Sequence, residues 1–329
     1  MNSYPTLRSG QGGMVLLMVL LIFSVVAILA TSMIERQAID IERSQTLFTQ
    51  QQARLYALGA ESATRTGLFM DWEADSEIDH AAEEWNIERT FPLDPGVITI
   101  RIQDAQGRFN LNSLLPGGNA TVYEQRFRNL LSLLGLEVNI ASDWTKWLNQ
   151  ESNVDSKYLS MDPGYRPAYQ ACSHSSELML IEGVDLDVYA KLEPYITCLP
   201  AAVQLNVNTA PDFVLAALDS RLTLTDAEQI IAGRGGEGYR SVQDFLGSAP
   251  VSNLRTESPA DDGTGRQDAV TPLVETDFSV TTEYFEMFAR IDLNGRIGTV
   301  EALIRRNIAD GKMDTIRRDF SRRAAREAW

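Results

Sequence analysis

From Met14 to Ile34 the chain carries no charged side chain, and as one helix those 21 positions cover roughly the 30 Å hydrocarbon core of a bilayer. Beyond Ile34 the pattern changes without stopping. Ile34, Ala38, Ile41, Leu47, Leu55, Leu58 and Leu68 recur at helical spacings among charged and Gln-rich positions, with no proline between them. This predicts a helix of about fifty residues that leaves the membrane amphipathic and packs on its own globular part. A cleaved secretory signal would need a shorter apolar core followed by small residues at a cut site, so the pattern predicts a retained, single crossing.

The next pattern alternates. "GVITIRIQD" (Gly96–Asp104) places apolar and polar residues in turn, as a half-buried strand does. "YFEMFARIDLNGRIGTVEALIRRN" (Tyr284–Asn307) gives two further runs around Asn294-Gly295, a strong hairpin signal. The three strands predict one antiparallel sheet against the long helix. Between them, roughly Phe109 to Pro272, helical patterns such as "YEQRFRNLLSLLGL" and "DAEQIIAGR" and a polar loop, "ESPADDGTGRQD", predict an inserted α-rich domain. The fold class is therefore α+β. The segments are 1–13 (leader), 14–34 (membrane part of the helix), 35–108 (rest of the helix and first strand), 109–272 (insert) and 273–329 (last strands and tail).

Charge narrows the partners. At 329 residues the net charge is -16 and the pI about 4.6, which opposes binding to a polyanion. "NVNTAPDFVLAALDSRLTLTDAEQIIAGRGGEGYRSVQDFL" has the helical pattern of a helix-hairpin-helix module, but its link "DSRLTLT" lacks the glycine hairpin that brings backbone amides to a phosphate. Both grounds make nucleic acid a poor partner; a membrane-anchored, competence-type protein with a DNA-binding helix-hairpin-helix module is the alternative reading. "GRGGEGY" lacks the Lys and Ser/Thr of a phosphate loop, and His80 and His174 form no catalytic constellation with neighbours in sequence. The chain reads as a component, not an enzyme. Cys172 and Cys198, the only cysteines, allow one disulfide if the domain lies across the inner membrane in an oxidising compartment.

The start of the chain adds a family. A short leader with one basic residue, Arg8, ends in Gly12-Gly13 and meets the apolar helix at Met14. This resembles the class III signal of type IV pilins and type II secretion pseudopilins, which implies cleavage after Gly13 by a prepilin peptidase and methylation of Met14. Glycine suits such a site because a missing Cβ lets a protease hold the backbone closely. Most of that family carries Glu at the fifth mature position; here it is Met18. Lacking that glutamate, having the insert, and repeating "NLNSLL" and "NVNTAP", the chain resembles the minor pseudopilin K family. Asn112-Ser113 and Asn208-Thr209 are expected to cap helices there.

The resemblance implies a role capping the pseudopilus tip and helping initiate it, with I- and J-type minor pseudopilins, the prepilin peptidase, the inner-membrane secretion platform and exported substrates as partners. It places the globular part in the periplasm. It also implies structural calcium in the insert, where Asn149, Glu151 and Asp155 offer hard oxygen ligands in a turn-rich stretch; read alone, those residues are a solvated loop. Glu257, Asp261, Asp262 and Asp268 are a second acidic candidate.

Overall fold

The computed structural model of the chain describes residues 12–256 and 273–320. Its first element, α1 (Gly12–Ala74), is one unbroken helix of 63 residues, longer than the expected fifty. It is long and apolar enough to cross a membrane, and its apolar part makes no contact with the rest of the chain that buries it. Burial begins only at Ala53, well past the first charged residues, and of the apolar positions expected to pack, Ile34, Ala38, Ile41, Leu47, Leu55 and Leu58 stay exposed while Leu68 is buried. Ala53, Ala57, Ala60 and Leu68 form the stripe that packs on the sheet, and small residues there let the helix approach closely.

That sheet has five strands rather than the three expected. β1 (Arg89–Leu93) and β2 (Gly96–Asp104) form a hairpin, and a later block supplies β7 (Tyr284–Leu293), β8 (Arg296–Arg306) and β9 (Met313–Asp319). The order is β1-β2-β7-β8-β9, antiparallel throughout. The two edge strands escaped the sequence reading because an edge buries little: four of the five β1 residues are exposed. The β7–β8 turn is the Asn294-Gly295 pair, both with positive φ, as a tight hairpin requires.

Period-two alternation divides the sheet. Phe285, Met287, Ala289, Ile291, Val300, Ala302 and Ile304 face α1, while Glu286 and Glu301 face the other way and meet the insert.

The insert has two cores. The first holds β3 (Phe109–Asn110), α2 (Ala120–Leu133), α3 (Asn139–Leu148), α4 (Asp155–Leu159), α5 (Leu186–Leu192) and β4 (Ile196–Thr197) around Phe127, Trp144, Trp147 and Tyr158. The second holds β5 (Leu205–Asn206), α6 (Asp212–Ala216), α7 (Leu224–Gly233), α8 (Val242–Gly247) and α9 (Ala249–Thr256), with β6 (Phe278–Ser279). It draws in Leu273 and Phe278, beyond the boundary read at 272. β3 pairs with β4, and β5 with β6, both in parallel. The helical patterns seen at 123–136 and 226–234 correspond to α2 and α7.

Candidate functional site

The chain leaves the sheet for the insert at Asp104 and re-enters it at Tyr284, and around those ends lies a buried polar junction. Asp104 ends β2 and is buried. Its Oδ2 accepts from Asn206 Nδ2 at 3.0 Å and from the Thr209 hydroxyl at 2.6 Å, and its Oδ1 from the Gln106 N–H at 2.6 Å. Burial raises its pKa to about 6 against the pull of those bonds.

The two Asn-x-Asn repeats explain themselves here, differently from expectation. In each it is the first asparagine, not the Asn-Ser or Asn-Thr pair, that caps the turn: Asn110 Oδ1 accepts the Asn112 N–H, and Asn206 Oδ1 the Asn208 N–H. The second asparagine then bridges distant backbone. Asn112 donates to the carbonyls of Cys172 and Leu199 and accepts the Cys172 N–H. Asn208 donates to Tyr239 O and accepts Tyr239 N–H at 2.7 Å. A carboxamide offers one donor side and one acceptor side, so it pairs with a peptide unit as a neighbouring strand would. Gly238 is fixed by this contact, since a Cβ there would lie 2.8 Å from the Asn208 carboxamide. Thr209 turns to Asp104 instead of capping.

Cys172 and Cys198 are joined as a disulfide, beside the Asn112 clamp. The next residues reach the sheet. Ser173 O accepts from Arg317, His174 Nε2 lies 3.3 Å from Glu301, and Arg317 pairs with Glu301 at 2.8 Å. His174 Nδ1 also caps a short 3-10 turn through the Ser176 N–H at 2.9 Å. Arg108 adds a second tie, to Glu286 at 2.7 Å.

A cluster that the sequence reading did not single out lies at the end of α1. Asp71, Asp79 and Glu83 bring one oxygen each within 4.8 Å of the others. Arg306, 2 % exposed, sits among them: it pairs with Asp79, donates to Thr282 O at 2.8 Å, and places Nη1 3.7 Å from Asp71. One guanidinium does not neutralise three carboxylates. Burial, followed by the charges of Glu83 and Asp79, pushes Asp71 up to about 7, against the pull of Arg306. Burial likewise raises Asp79 and Glu83. The only trace in the sequence was the acid-rich run after Met70; its cation lies more than 220 positions away.

The proposed calcium ligands are differently engaged. Asn149 Oδ1 accepts the Glu151 N–H at 2.9 Å, and Asp155 Oδ2 accepts the Tyr169 hydroxyl at 2.9 Å, while Glu151 is exposed. Their remaining lone pairs suit a hard cation, but three side chains fall short of the six to eight oxygens calcium takes, so carbonyls and water must complete the set. The second acidic candidate, with Glu257, Asp261, Asp262 and Asp268, lies outside the described residues. At the other end, Gly13 and Met14 lie in the first turns of α1, and Met18 follows on the same helix. The helix-hairpin-helix candidate is α6 and α7, joined through Asp219, whose carboxylate takes Arg221 at 2.9 Å.

Residues 107–201 and 205–264 each match a family model described as type II secretion system protein K. These spans follow the two cores of the insert. The type II secretion system protein K of Pseudomonas aeruginosa is 32 % identical, with 95 % of this chain and 94 % of that protein covered. The protein of the same description from Klebsiella pneumoniae is 34 % identical over 75 % of this chain and 82 % of its own length. Among solved structures, a chain of the GspK-GspI-GspJ complex from the enterotoxigenic Escherichia coli type 2 secretion system superposes with a TM-score of 0.70 at 26 % identity, covering 85 % of this chain and 99 % of that one.

Proposed function

The chain belongs to the type II secretion system protein K family and is a minor pseudopilin of that system; from this we propose that it caps the pseudopilus tip and helps initiate assembly for export across the outer membrane. The observation that carries the proposal is the pairing of Met18 with the two-core insert. A subunit with no acid between Met14 and Ile34 has no carboxylate to accept a neighbour's charged amino terminus within the bilayer. The insert, packed on the sheet face opposite α1, adds bulk that repeated neighbours in a filament would have to clear. Both suit a subunit with nothing above it. Its partners are I- and J-type minor pseudopilins, supported by the make-up of the Escherichia coli complex. The inner-membrane platform recruits it, exported proteins meet it at the tip, and its globular part lies in the periplasm.

Co-expression with the two partners is expected to give a complex with one copy of each by native mass spectrometry, and labelled filaments to carry one label at an end. Labels spaced along the shaft would overturn the proposal.

Processing is part of the same proposal. A prepilin peptidase cuts after Gly13 and methylates Met14, as the junction of glycine with an uncharged helix favours. Intact-mass measurement of membrane-extracted protein is expected to show residues 14 onward plus one methyl group; a retained leader in cells with active peptidase would refute it.

Calcium in the Asn149–Asp155 loop is the third element. With only three side-chain donors, binding is weak, and excess calcium is expected to raise the melting temperature by a few degrees, because a ligand bound only to the folded state adds stability. Identical melting in calcium and in chelator would remove the ion.

A further inference from the structure

The last turn of α1 and the segment that follows it meet carboxyl to carboxyl. Asp71, on α1, faces Glu83 within hydrogen-bonding reach, and Asp79 brings a third oxygen within 4.8 Å of both. Two ionised carboxylates so placed repel, and one proton between them turns the repulsion into a bond. The arginine among them does not take the proton's place. Its Nη2 donates to Asp79 and to the Thr282 carbonyl. Its Nη1 is buried, donates no hydrogen bond, and stops 3.7 Å from Asp71 Oδ2.

The two sides of this contact are held differently. Asp71 belongs to a continuous helix of 63 residues, whereas Glu83 lies in a short stretch between two fixed points. Before it, Asp79 is buried and its N–H donates to the Val280 carbonyl at 2.8 Å. After it, Trp85 is buried with its ring edge-on to Phe285, 5.2 Å between centroids. Ala81, Ala82 and Glu84 in between are exposed. What closes the stretch is Glu83 itself, whose Oε1 accepts the His80 N–H at 2.8 Å and whose Oε2 accepts the Trp85 indole N–H. Whatever drives Glu83 outward breaks both bonds.

We propose that Asp71 and Glu83 share one proton, and that its loss to water releases the stretch from His80 to Glu84 from the end of α1. At acid pH the proton is held and the stretch is closed. Burial, then the charges of Glu83 and Asp79, push Asp71 up to about 7, and the proton leaves as pH rises through that value. The ionised Asp71 then has a donor at hand in Arg306 Nη1, while Glu83 is left against two carboxylates with no cation of its own. It moves into water. The remaining charges do not reverse this. Asp75 adds negative charge at Asp79, and Glu84 is paired with Arg89 at 2.9 Å. His80 Nε2 lies 3.5 Å from Glu83 and travels with the stretch. Ala82, Glu83, Glu84 and Trp85 also line a groove of about 660 Å³ beside α1. Acidity thereby sets whether one wall of that groove is closed.

Hydrogen exchange on the full chain in detergent, corrected for the intrinsic pH dependence of exchange, tests the latch. The reporters are the N–H groups of His80, Glu83 and Asn86, bonded to Glu83 Oε1, His80 O and Glu83 O. Their peptide is expected to lose roughly tenfold protection between pH 6 and pH 8.5, while peptides of β7 and β8 keep theirs, which separates local opening from unfolding. Asp71→Asn supplies an amide donor where the proton stood, and Glu83→Gln does so from the other side. Each is expected to keep the stretch protected at both pH values. Wild-type protection that does not change with pH would overturn the latch. So would a wild-type profile retained by Asp71→Asn, which assigns the titration to His80. A stretch left open at both pH values by both amide variants would overturn it as well, since either amide can donate where the proton does.

Discussion

Replacing Arg306 with methionine is expected to lower the stability of the globular part by about 3 to 5 kcal/mol, the range for breaking a buried ion pair by removing one partner. The methylene stem is kept, so little of the loss comes from packing, although the guanidinium also lies 4.8 Å over the Phe285 ring. What is lost is the one cation among Asp71, Asp79 and Glu83. Asp79 is as buried as Arg306 and cannot recover its hydration. The consequences reach past the pair. Asp79 also accepts the Thr282 N–H at 2.7 Å, and its carbonyl accepts from Asn206, so displacing it loosens the junction where the insert meets the sheet. Denaturant unfolding of the full chain in detergent, followed through buried Trp85, Trp144 and Trp147, reads this directly. Asp79→Asn added to the methionine variant is expected to restore part of the loss, because it removes the charge left uncompensated. A loss below about 1 kcal/mol for Arg306→Met would show that the cluster is held by something other than its cation.

The second expected result is that the protein is more stable at pH 5 than at pH 8. Asp71, raised to about 7, and Asp104, raised to about 6, both bind protons more tightly folded than unfolded, as do Asp79 and Glu83. A group whose folded pKa lies above its unfolded value stabilises fully below the unfolded value, and that contribution fades as pH rises through the folded one. The window runs from about 4, where unfolded carboxyls titrate, to about 7. Below it, groups of the opposite kind take over. Arg318 holds Glu61 below its ordinary value, and Asp219, beside Arg221, is also lowered, so their contributions are lost as pH falls through those values. The optimum therefore falls near pH 5. Asp71→Asn removes the steepest of the raised groups and is expected to add roughly 1 kcal/mol at pH 8 and nothing at pH 4, after discounting for the partial exposure of the carboxylate. Thermal melts of both proteins from pH 4 to 8 test it. Parallel curves would mean that Asp71 does not hold the proton. The groups facing it are Asp79 and Glu83 from the following loop and Arg306 from β8; His80 lies behind Glu83, its Nε2 3.5 Å from that carboxylate.

The patterns that could be read without a structure are those in which one short segment carries its own signal. The uncharged run from Met14 to Ile34 and the helical spacing of apolar residues after it define α1 as one element, although the face that packs on the sheet is the Ala53, Ala57, Ala60 and Leu68 stripe, of which only Leu68 belongs to that spacing. Asn294-Gly295 defines its hairpin because a turn needs positive φ at two adjacent residues. The glycine-to-methionine junction, the missing acid at Met18 and the Asn-x-Asn repeats pointed to the family by similarly local means.

Tertiary structure decided what depends on residues far apart. β1 and β9 are strands because β2 and β8 offer them edges, so neither needed an alternating apolar pattern of its own. The Asn-x-Asn repeats were visible, but the clamp that each second asparagine makes became assignable only with Cys172 or Tyr239 placed beside it. The acidic cluster is the clearest case. Nothing along the chain singled out Asp71, Asp79 and Glu83; burial raises the proton affinity of all three, Asp71 to about 7, against the pull of a single arginine from the far end of β8. Charge and spacing along a sequence carry no information about desolvation, which is set by what the rest of the chain packs against them.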